Sequence, residues 1–261
     1  MELVKQQRHY PWELHYLSYG KKVLLIDADP QGDLTTCLGY YNQDNLSNTL
    51  GTLMANYIAD KEINPHESIL KHSEGVDIIP SNLDLSAIEL ALGNTMSREF
   101  TLKNCISTLK EDYDYILIDC MPSLGIITIN VLACADKIII PVQGEYLAAN
   151  GMTHLMKTVE KVHRQINTEL KVAGIVLTLV DKRTNLAIDV QEQLEKNYGK
   201  LVKIFKTEIP KAIASSRSTA TGKSIFEFDG NSSVAKAYEN LAKEVLESER
   251  QKSRDDIAFS R

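Results

Sequence analysis

The feature that most constrains this chain is a series of short, unbroken apolar runs, each bounded by turn residues. The runs are KVLLIDAD (22–29), VDIIPS (76–81), YDYILIDCMPS (113–123), KIIIPVQ (137–143), VAGIVLTLVD (172–181) and KIFKTEIP (203–210). Because their apolar residues are continuous rather than alternating with polar ones, each run predicts a strand that is buried on both faces. Such strands are typical of a parallel sheet.

The segments between these runs carry helix signals. They are NLDLSAIELALGN (82–94), GMTHLMKTVEKVHRQI (151–166), LAIDVQEQLEKNYG (186–199) and the closing SVAKAYENLAKEVLESERQK (233–252). The alternation of strand and helix predicts one doubly wound α/β domain over residues 21–250, with a mostly parallel sheet. Residues 1–20 fit neither pattern, and residues 251–261 are expected to be a charged, frayed tail. A ligand is expected at the carboxyl ends of the strands.

Composition excludes several classes of protein. The chain has 261 residues and a formal net charge of −6, which argues against general coating of nucleic acid but not against a local basic patch. Its four cysteines contain no C-x-x-C pair, which indicates reduced thiols in a cytoplasmic protein. No apolar run approaches the length of about 18 residues that predicts a membrane span.

Acidic residues follow two of the predicted strands. Asp27 and Asp29 end LLIDADPQGD, where alternation places both carboxylates on one side of the strand, and Asp119 ends YILIDCMPS. The simpler interpretation is a strand followed by a polar turn. Two acid-ended strands at the same sheet edge instead favour a magnesium site, because this cation prefers oxygen ligands and keeps waters and phosphate oxygens in its shell.

Six blocks in order resemble the ParA/Soj partition ATPases, which belong to a deviant P-loop group that also contains MinD. The blocks are KKVLLIDADPQGD, IIPSNLDLSAIEL, YDYILIDCMPSLG, IIIPVQGEYLAANGM, TLVDKRTNLAIDV and EIPKAIASSRSTATGKSIFEFD. The resemblance runs from about Lys21 to Leu246. It implies a P-loop NTPase-like fold, ATP and magnesium as cofactors, a homodimer, non-specific DNA binding, nucleoid association, and a ParB-like partner that stimulates hydrolysis.

The resemblance also implies roles for individual residues. Asp29 corresponds to the catalytic residue that positions the attacking water, while Asp27 and Asp119 correspond to the acids that hold magnesium and the nucleotide. Pro210 corresponds to a position that packs against adenine. Gln143 and Glu145 correspond to the family's dimer face.

A weaker hypothesis concerns DNA. Lys211, Arg217 and Lys223 lie in a stretch with few acids and are candidates for a basic patch, although an ordinary solvated surface explains them as well.

One expected element is missing. A P-loop ATPase needs a first strand followed by a glycine-rich loop with lysine, whose backbone N–H groups hold the phosphates. The sequence has no such loop, since its first glycine is Gly20, and TATGKS (219–224) lacks the first glycine of the motif. The sheet is therefore expected to lack its first strand and to have an empty central slot. Divergence, truncation with a foreign leader, and a reading-frame error are the competing explanations.

The genetic code favours the reading-frame error. When each codon's third base is joined to the first two bases of the next codon, Met1–Glu2 forces glycine, and synonymous choices over the following codons give G-V-G-K-T-T. The recovered lysine falls at Lys5, which lies 22 residues before Asp27, as the family requires. Residues 1–20 are thus interpreted as an out-of-frame P-loop and first helix. We expect the chain as written to bind ATP poorly and not to hydrolyse it.

Three alternatives to a partition ATPase stay open. The first is an ATP-independent binding or regulatory pseudo-ATPase. The second is a MinD-like positioning ATPase, against which the C-terminus shows no continuous apolar face. The third is an iron–sulfur relative, for which the cysteines lack a paired motif.

Overall fold

The computed structural model describes residues 2–5, 20–121, 125–144, 148–181, 183–184 and 186–259. The described strands form one eight-stranded sheet in the order β3-β4-β2-β5-β1-β6-β7-β8, in which β3–β4 is the antiparallel pair and the other pairs are parallel. The strands are β1 Glu2–Lys5, β2 Val23–Ala28, β3 Leu70–Lys71, β4 Asp77–Ile79, β5 Tyr115–Cys120, β6 Lys137–Gln143, β7 Lys171–Val180 and β8 Ile204–Pro210. The predicted fold class, a doubly wound, mostly parallel α/β sheet, is confirmed.

Helices connect these strands. They are α1 Asp33–Cys37, α2 Leu50–Ile58, α3 Asp84–Leu92, α4 Thr101–Cys105, α5 Ile126–Cys134, α6 Ala148–Gln165, α7 Leu186–Tyr198, α8 Ile213–Thr221, α9 Ile225–Asp229 and α10 Ser233–Phe259. Short 3-10 helices lie at Gln43–Asn45, Pro65–Ser68, Arg98–Phe100 and Ser107–Glu111. The expected frayed tail is wrong as far as Phe259, because α10 continues through it.

Both faces of the sheet are buried, as the unbroken apolar runs predicted. Along β2, Leu24 and Ile26 belong to one hydrophobic cluster, whereas Val23 and Leu25 belong to another on the opposite face. Adjacent β5 alternates in the same way. Side chains of a strand point alternately to the two faces, so a strand covered on both sides must be apolar at every position.

The central slot of the sheet is occupied, which corrects the expectation that the first strand is missing. Strand β1 lies between β5 and β6, with Glu2–Lys5 in register with Leu117–Cys120 and Glu2–Val4 in register with Lys137–Ile139. A vacant slot would leave backbone N–H and C=O groups of both neighbours unpaired. Four residues of extended chain satisfy that requirement, whatever loop comes after them.

Two further findings concern membrane-spanning helices and the cysteines. Within the described part of the chain, no helix is long and apolar enough to span a membrane. The four cysteines are free thiols. The proposed domain boundaries remain predictions.

Candidate active site at the carboxyl ends of β2 and β5

The two predicted magnesium acids lie side by side. Asp27 on β2 is the register partner of Asp119 on β5, and both are buried, with 0% and 2% of their surface exposed. Leu25 and Leu117, two residues earlier on each strand, pack in the same cluster, so alternation places both carboxylates on that face of the sheet. The sequence placed each acid at a strand end, and the structure brings the two acids to the same level.

Asp27 is held by three hydrogen bonds from one short stretch of chain. Its Oδ2 accepts the Thr35 hydroxyl at 2.7 Å and the Thr35 backbone N–H at 2.9 Å, and its Oδ1 accepts the Asp29 N–H at 3.1 Å. Burial raises the pKa of Asp27 to about 7, because the cost of removing a carboxylate from water exceeds what these donors recover.

Asp29, the predicted catalytic residue, begins a tight turn between β2 and α1. Its Oδ1 accepts the Gln31 N–H at 2.8 Å, and its carbonyl accepts the Gly32 N–H at 2.9 Å. Gly32 has φ +63°, a conformation that glycine adopts without strain, and the Gln43 amide fills the space beside it. Burial raises the pKa of Asp29 as well. The turn therefore fixes Asp29 at the sheet edge with 4% of its surface exposed.

The donor set of this site suits magnesium in part. Asp27 and Asp119 supply carboxylate oxygens at neighbouring positions, and the buried hydroxyl of Ser81 has no hydrogen-bond partner among the described residues, so a cation's water could satisfy it. No group of three or more His, Cys, Asp or Glu that could hold a metal was found among the described residues. Two carboxylates suffice for magnesium when phosphate oxygens and waters complete the shell.

The phosphate-binding half of the site has no counterpart in the sequence. The segment that connects β1 to β2 contains a single glycine, Gly20, and no G-K-T or G-K-S triplet. The residues present therefore fit magnesium, but they do not supply the glycine-rich loop that cradles nucleotide phosphates.

Two of the three residues predicted to contact adenine or the dimer partner lie on other strands. Gln143 ends β6 and Pro210 ends β8, at the same carboxyl edge as the acids but on strands separated from β5. Glu145 lies outside the described residues. The adenine and dimer roles of these positions remain predictions.

The candidate basic patch follows β8. The Lys211 backbone N–H pairs with the Val180 carbonyl, and Arg217 lies on α8 with its guanidinium 5.9 Å from the centre of the Phe228 ring. Lys223 follows α8 and forms an ion pair with Glu227 at 2.6 Å. That carboxylate offsets the charge of Lys223, and Asp181 lies close enough to Lys211 to interact with its charge, so Arg217 is the strongest of the three candidates for contact with phosphates.

Thr35 is the site residue that sequence analysis missed. It is fully buried although polar, and it joins Asp27 to Ser81, whose backbone N–H donates to the Thr35 Oγ1 at 3.0 Å. The available signal was a pair of threonines in the first turn of a helix directly after an acid-ended strand. That pattern is common at helix starts, so it did not distinguish a site residue.

Comparison with known proteins identifies relatives of this chain. Residues 14–172 match a family described as an AAA domain. The sporulation initiation inhibitor protein Soj of Bacillus subtilis is 41% identical over 228 residues, which cover 87% of each chain. The chromosome partitioning protein ParA of Caulobacter vibrioides is 34% identical over 234 residues, covering 88% of this chain and 85% of the relative.

A solved structure has a similar fold. Cobyrinic acid a,c-diamide synthase from Mycobacterium smegmatis, crystallised with ADP and magnesium, superposes with a TM-score of 0.78 and 29% identity. The superposition covers 94% of this chain and 93% of the synthase.

Proposed function

The chain belongs to the ParA/Soj family of partition ATPases, and on that premise we propose that it is a catalytically impaired member serving plasmid, chromosome or mobile-element DNA partitioning, with an incomplete nucleotide site. In this proposal Asp27 and Asp119 hold magnesium, and Asp29 positions the water that attacks the terminal phosphate of ATP. Magnesium, when bound, neutralises charge on the phosphate oxygens. The catalytic acids are retained, but the phosphate loop is not, so the chain binds ATP poorly and does not hydrolyse it.

The observation that carries the proposal is the pairing of Asp27 with Asp119. Two carboxylates are buried on adjacent strands at the same level, without a lysine or arginine ion pair among the described contacts of Asp27. Burying acids costs free energy unless they are compensated, so their retention favours a ligand function over a structural one. The ADP and magnesium in the related synthase structure support the same assignment.

Restoring the missing loop tests the proposal. In one variant, residues 1–20 are replaced by a first strand and the in-frame G-V-G-K-T-T loop with its helix. We expect ATP affinity, measured by isothermal titration calorimetry, to rise about a hundredfold or more over the chain as written, because one loop supplies several hydrogen bonds to charged phosphates. Micromolar ATP affinity of the unaltered chain would contradict the proposed defect.

The restored variant also tests the role of Asp29. In that background Asp29→Ala is expected to keep ATP binding and lose hydrolysis, because the water is no longer positioned. Glu62→Ala, which removes an exposed carboxylate in the segment after α2, is the control and should hydrolyse ATP at the rate of the restored variant. Hydrolysis by the Asp29→Ala variant at the rate of the restored variant would remove Asp29 from the mechanism.

The lack of a phosphate loop also favours a second candidate, an ATP-independent binding module. The partition hypothesis includes a homodimer, non-specific DNA binding through Lys211, Arg217 and Lys223, and a ParB-like stimulating partner. Co-sedimentation with DNA at several salt concentrations, with and without ATP, separates the candidates. Salt-sensitive binding that ATP does not change in either the chain or the restored variant would favour the ATP-independent module.

A further inference from the structure

Thr35 occupies the position between the candidate cation site and the end of β4. It lies in the first turn of α1, and neither it nor Ser81 nor Asp27 is exposed to solvent. The Thr35 Oγ1 is 2.7 Å from the Asp27 Oδ2 and 3.0 Å from the Ser81 nitrogen. One hydroxyl thus joins residues that are 8 and 46 positions away along the chain.

The hydrogen-bond chemistry fixes the direction of this connection. A backbone N–H can only donate, so the Ser81 N–H makes the Thr35 oxygen an acceptor. The Thr35 hydroxyl keeps one proton, and its short contact with the Asp27 Oδ2 uses that proton. Asp27 is therefore the acceptor in all three of its hydrogen bonds, and its carboxylate cannot rotate without breaking at least one of them.

We propose that Thr35 is a positioning residue for Asp27, oriented by Ser81, and that its hydroxyl sets the affinity of the site for a divalent cation. This inference rests on the proposed function, because it assumes that Asp27 takes part in cation binding. A carboxylate held in one orientation presents its remaining lone pairs in a fixed direction, so less freedom is lost when a hydrated cation binds. Partners that orient a metal ligand in this way strongly affect metal affinity.

A purely structural role for Thr35 predicts a different outcome. Asp27 also accepts the Thr35 backbone N–H, which contributes to capping the start of α1. If capping were the whole role, removing only the hydroxyl would lower stability without a specific effect on a cation. Thr36, the next residue, provides a matched comparison, because its hydroxyl contacts the Gln43 amide rather than Asp27.

The test is a titration of the full chain with Mn²⁺, an oxygen-binding substitute for magnesium, followed through the electron paramagnetic resonance signal of the free ion. Thr35→Val is expected to weaken Mn²⁺ binding about tenfold. Thr35→Ser, which restores the hydroxyl, and Thr36→Val, which makes the same change next door, should both retain the affinity of the unaltered chain. Circular dichroism establishes that each variant is folded.

The outcomes separate this inference from the function on which it rests. Equal Mn²⁺ affinity of folded Thr35→Val and the unaltered chain, with binding lost in Asp27→Asn, would overturn the role of Thr35 alone. Equal weakening in Thr35→Ser and Thr35→Val would also overturn it, since the hydroxyl would not be the cause. Full Mn²⁺ binding by Asp27→Asn, or none by the unaltered chain, would overturn the cation site itself. Should Thr35→Val fail to fold, Thr35→Ala replaces it in the same comparison.

Discussion

Strands β2 and β1 lie on either side of β5 and pair with it in parallel, yet the segments after them differ. Six residues of β2, Asp27 among them, are in register with β5, and the chain then passes through Asp29 into a turn closed by Gly32 and by bonds from α1. Four residues of β1 are in register with β5, and the sequence has no glycine-rich loop after them. At β1 the structure therefore describes backbone pairing, whereas on the β2 side it also describes the side chains and the glycine that fix the following turn.

The largest change in stability is expected from a substitution in β1. Leu3→Pro removes a backbone donor from the centre of the sheet and should lower the free energy of unfolding by about 3 kcal/mol. Denaturant unfolding measures this change. Leu3→Val, which keeps the N–H and favours an extended backbone, is the control. An unchanged unfolding midpoint for Leu3→Pro would show that β1 contributes nothing to the sheet.

A smaller loss of stability is expected at the contact between the ends of α8 and α1, which follows the turn after β2. Gly222 follows α8 with φ +65°, and a Cβ placed on it would lie 2.7 Å from the Gly39 Cα, just beyond α1. Gly222→Ala should destabilise the fold by about 2 kcal/mol, because backbone rather than a flexible side chain must give way.

A helical glycine with open space provides the control for that substitution. Gly151 lies within α6, and a Cβ placed on it would have no atom within 4 Å, so Gly151→Ala should stabilise the chain by about 0.5–1 kcal/mol. Thermal unfolding of both variants checks the opposite signs. A stable Gly222→Ala variant would mean that the contact between the ends of α1 and α8 is not fixed.

The smallest effect on stability is expected outside both regions, at the ion pair between Lys223 and Glu227. Both side chains are largely exposed, 50% and 41%, so Lys223→Met should leave the unfolding midpoint unchanged. Its effect on DNA binding should be smaller than that of Arg217→Met, which is expected to reduce the slope of log affinity against log salt by about one.

A lysine on another helix separates a local effect from a general loss of charge. Lys236→Met on α10 removes the same charge and should bind DNA like the unaltered chain. If all three variants weaken DNA binding equally, net charge explains the binding and no patch exists.

Much of the fold could be predicted from the sequence because its signals are local. The runs from KVLLIDAD to KIFKTEIP each became a strand within two or three residues of the predicted ends, since continuous apolar residues suit only a strand covered on both faces. The prediction of a frayed tail after residue 250 was based on its charge, and it was wrong as far as Phe259, because helix α10 continues to that residue.

The prediction that the central strand is missing was wrong for a different reason. In the family the first strand leads directly into the glycine-rich loop, so the absence of the loop predicted that the strand is missing too. Residues Glu2–Lys5 nevertheless supply backbone donors and acceptors that pair with both β5 and β6. Phosphate binding, in contrast, needs the particular residues of a glycine-rich loop, and the pairing of a strand with its neighbours does not supply them.

The sequence by itself determined the fold class, the family and the acids Asp27, Asp29 and Asp119, because these depend on local patterns and spacing. Tertiary structure alone decided that Asp27 and Asp119 are register partners, and that Thr35 is held between Asp27 and Ser81. Contacts between residues 46 or 92 positions apart depend on which strands pair and how the first helix packs, and no local pattern encodes that choice.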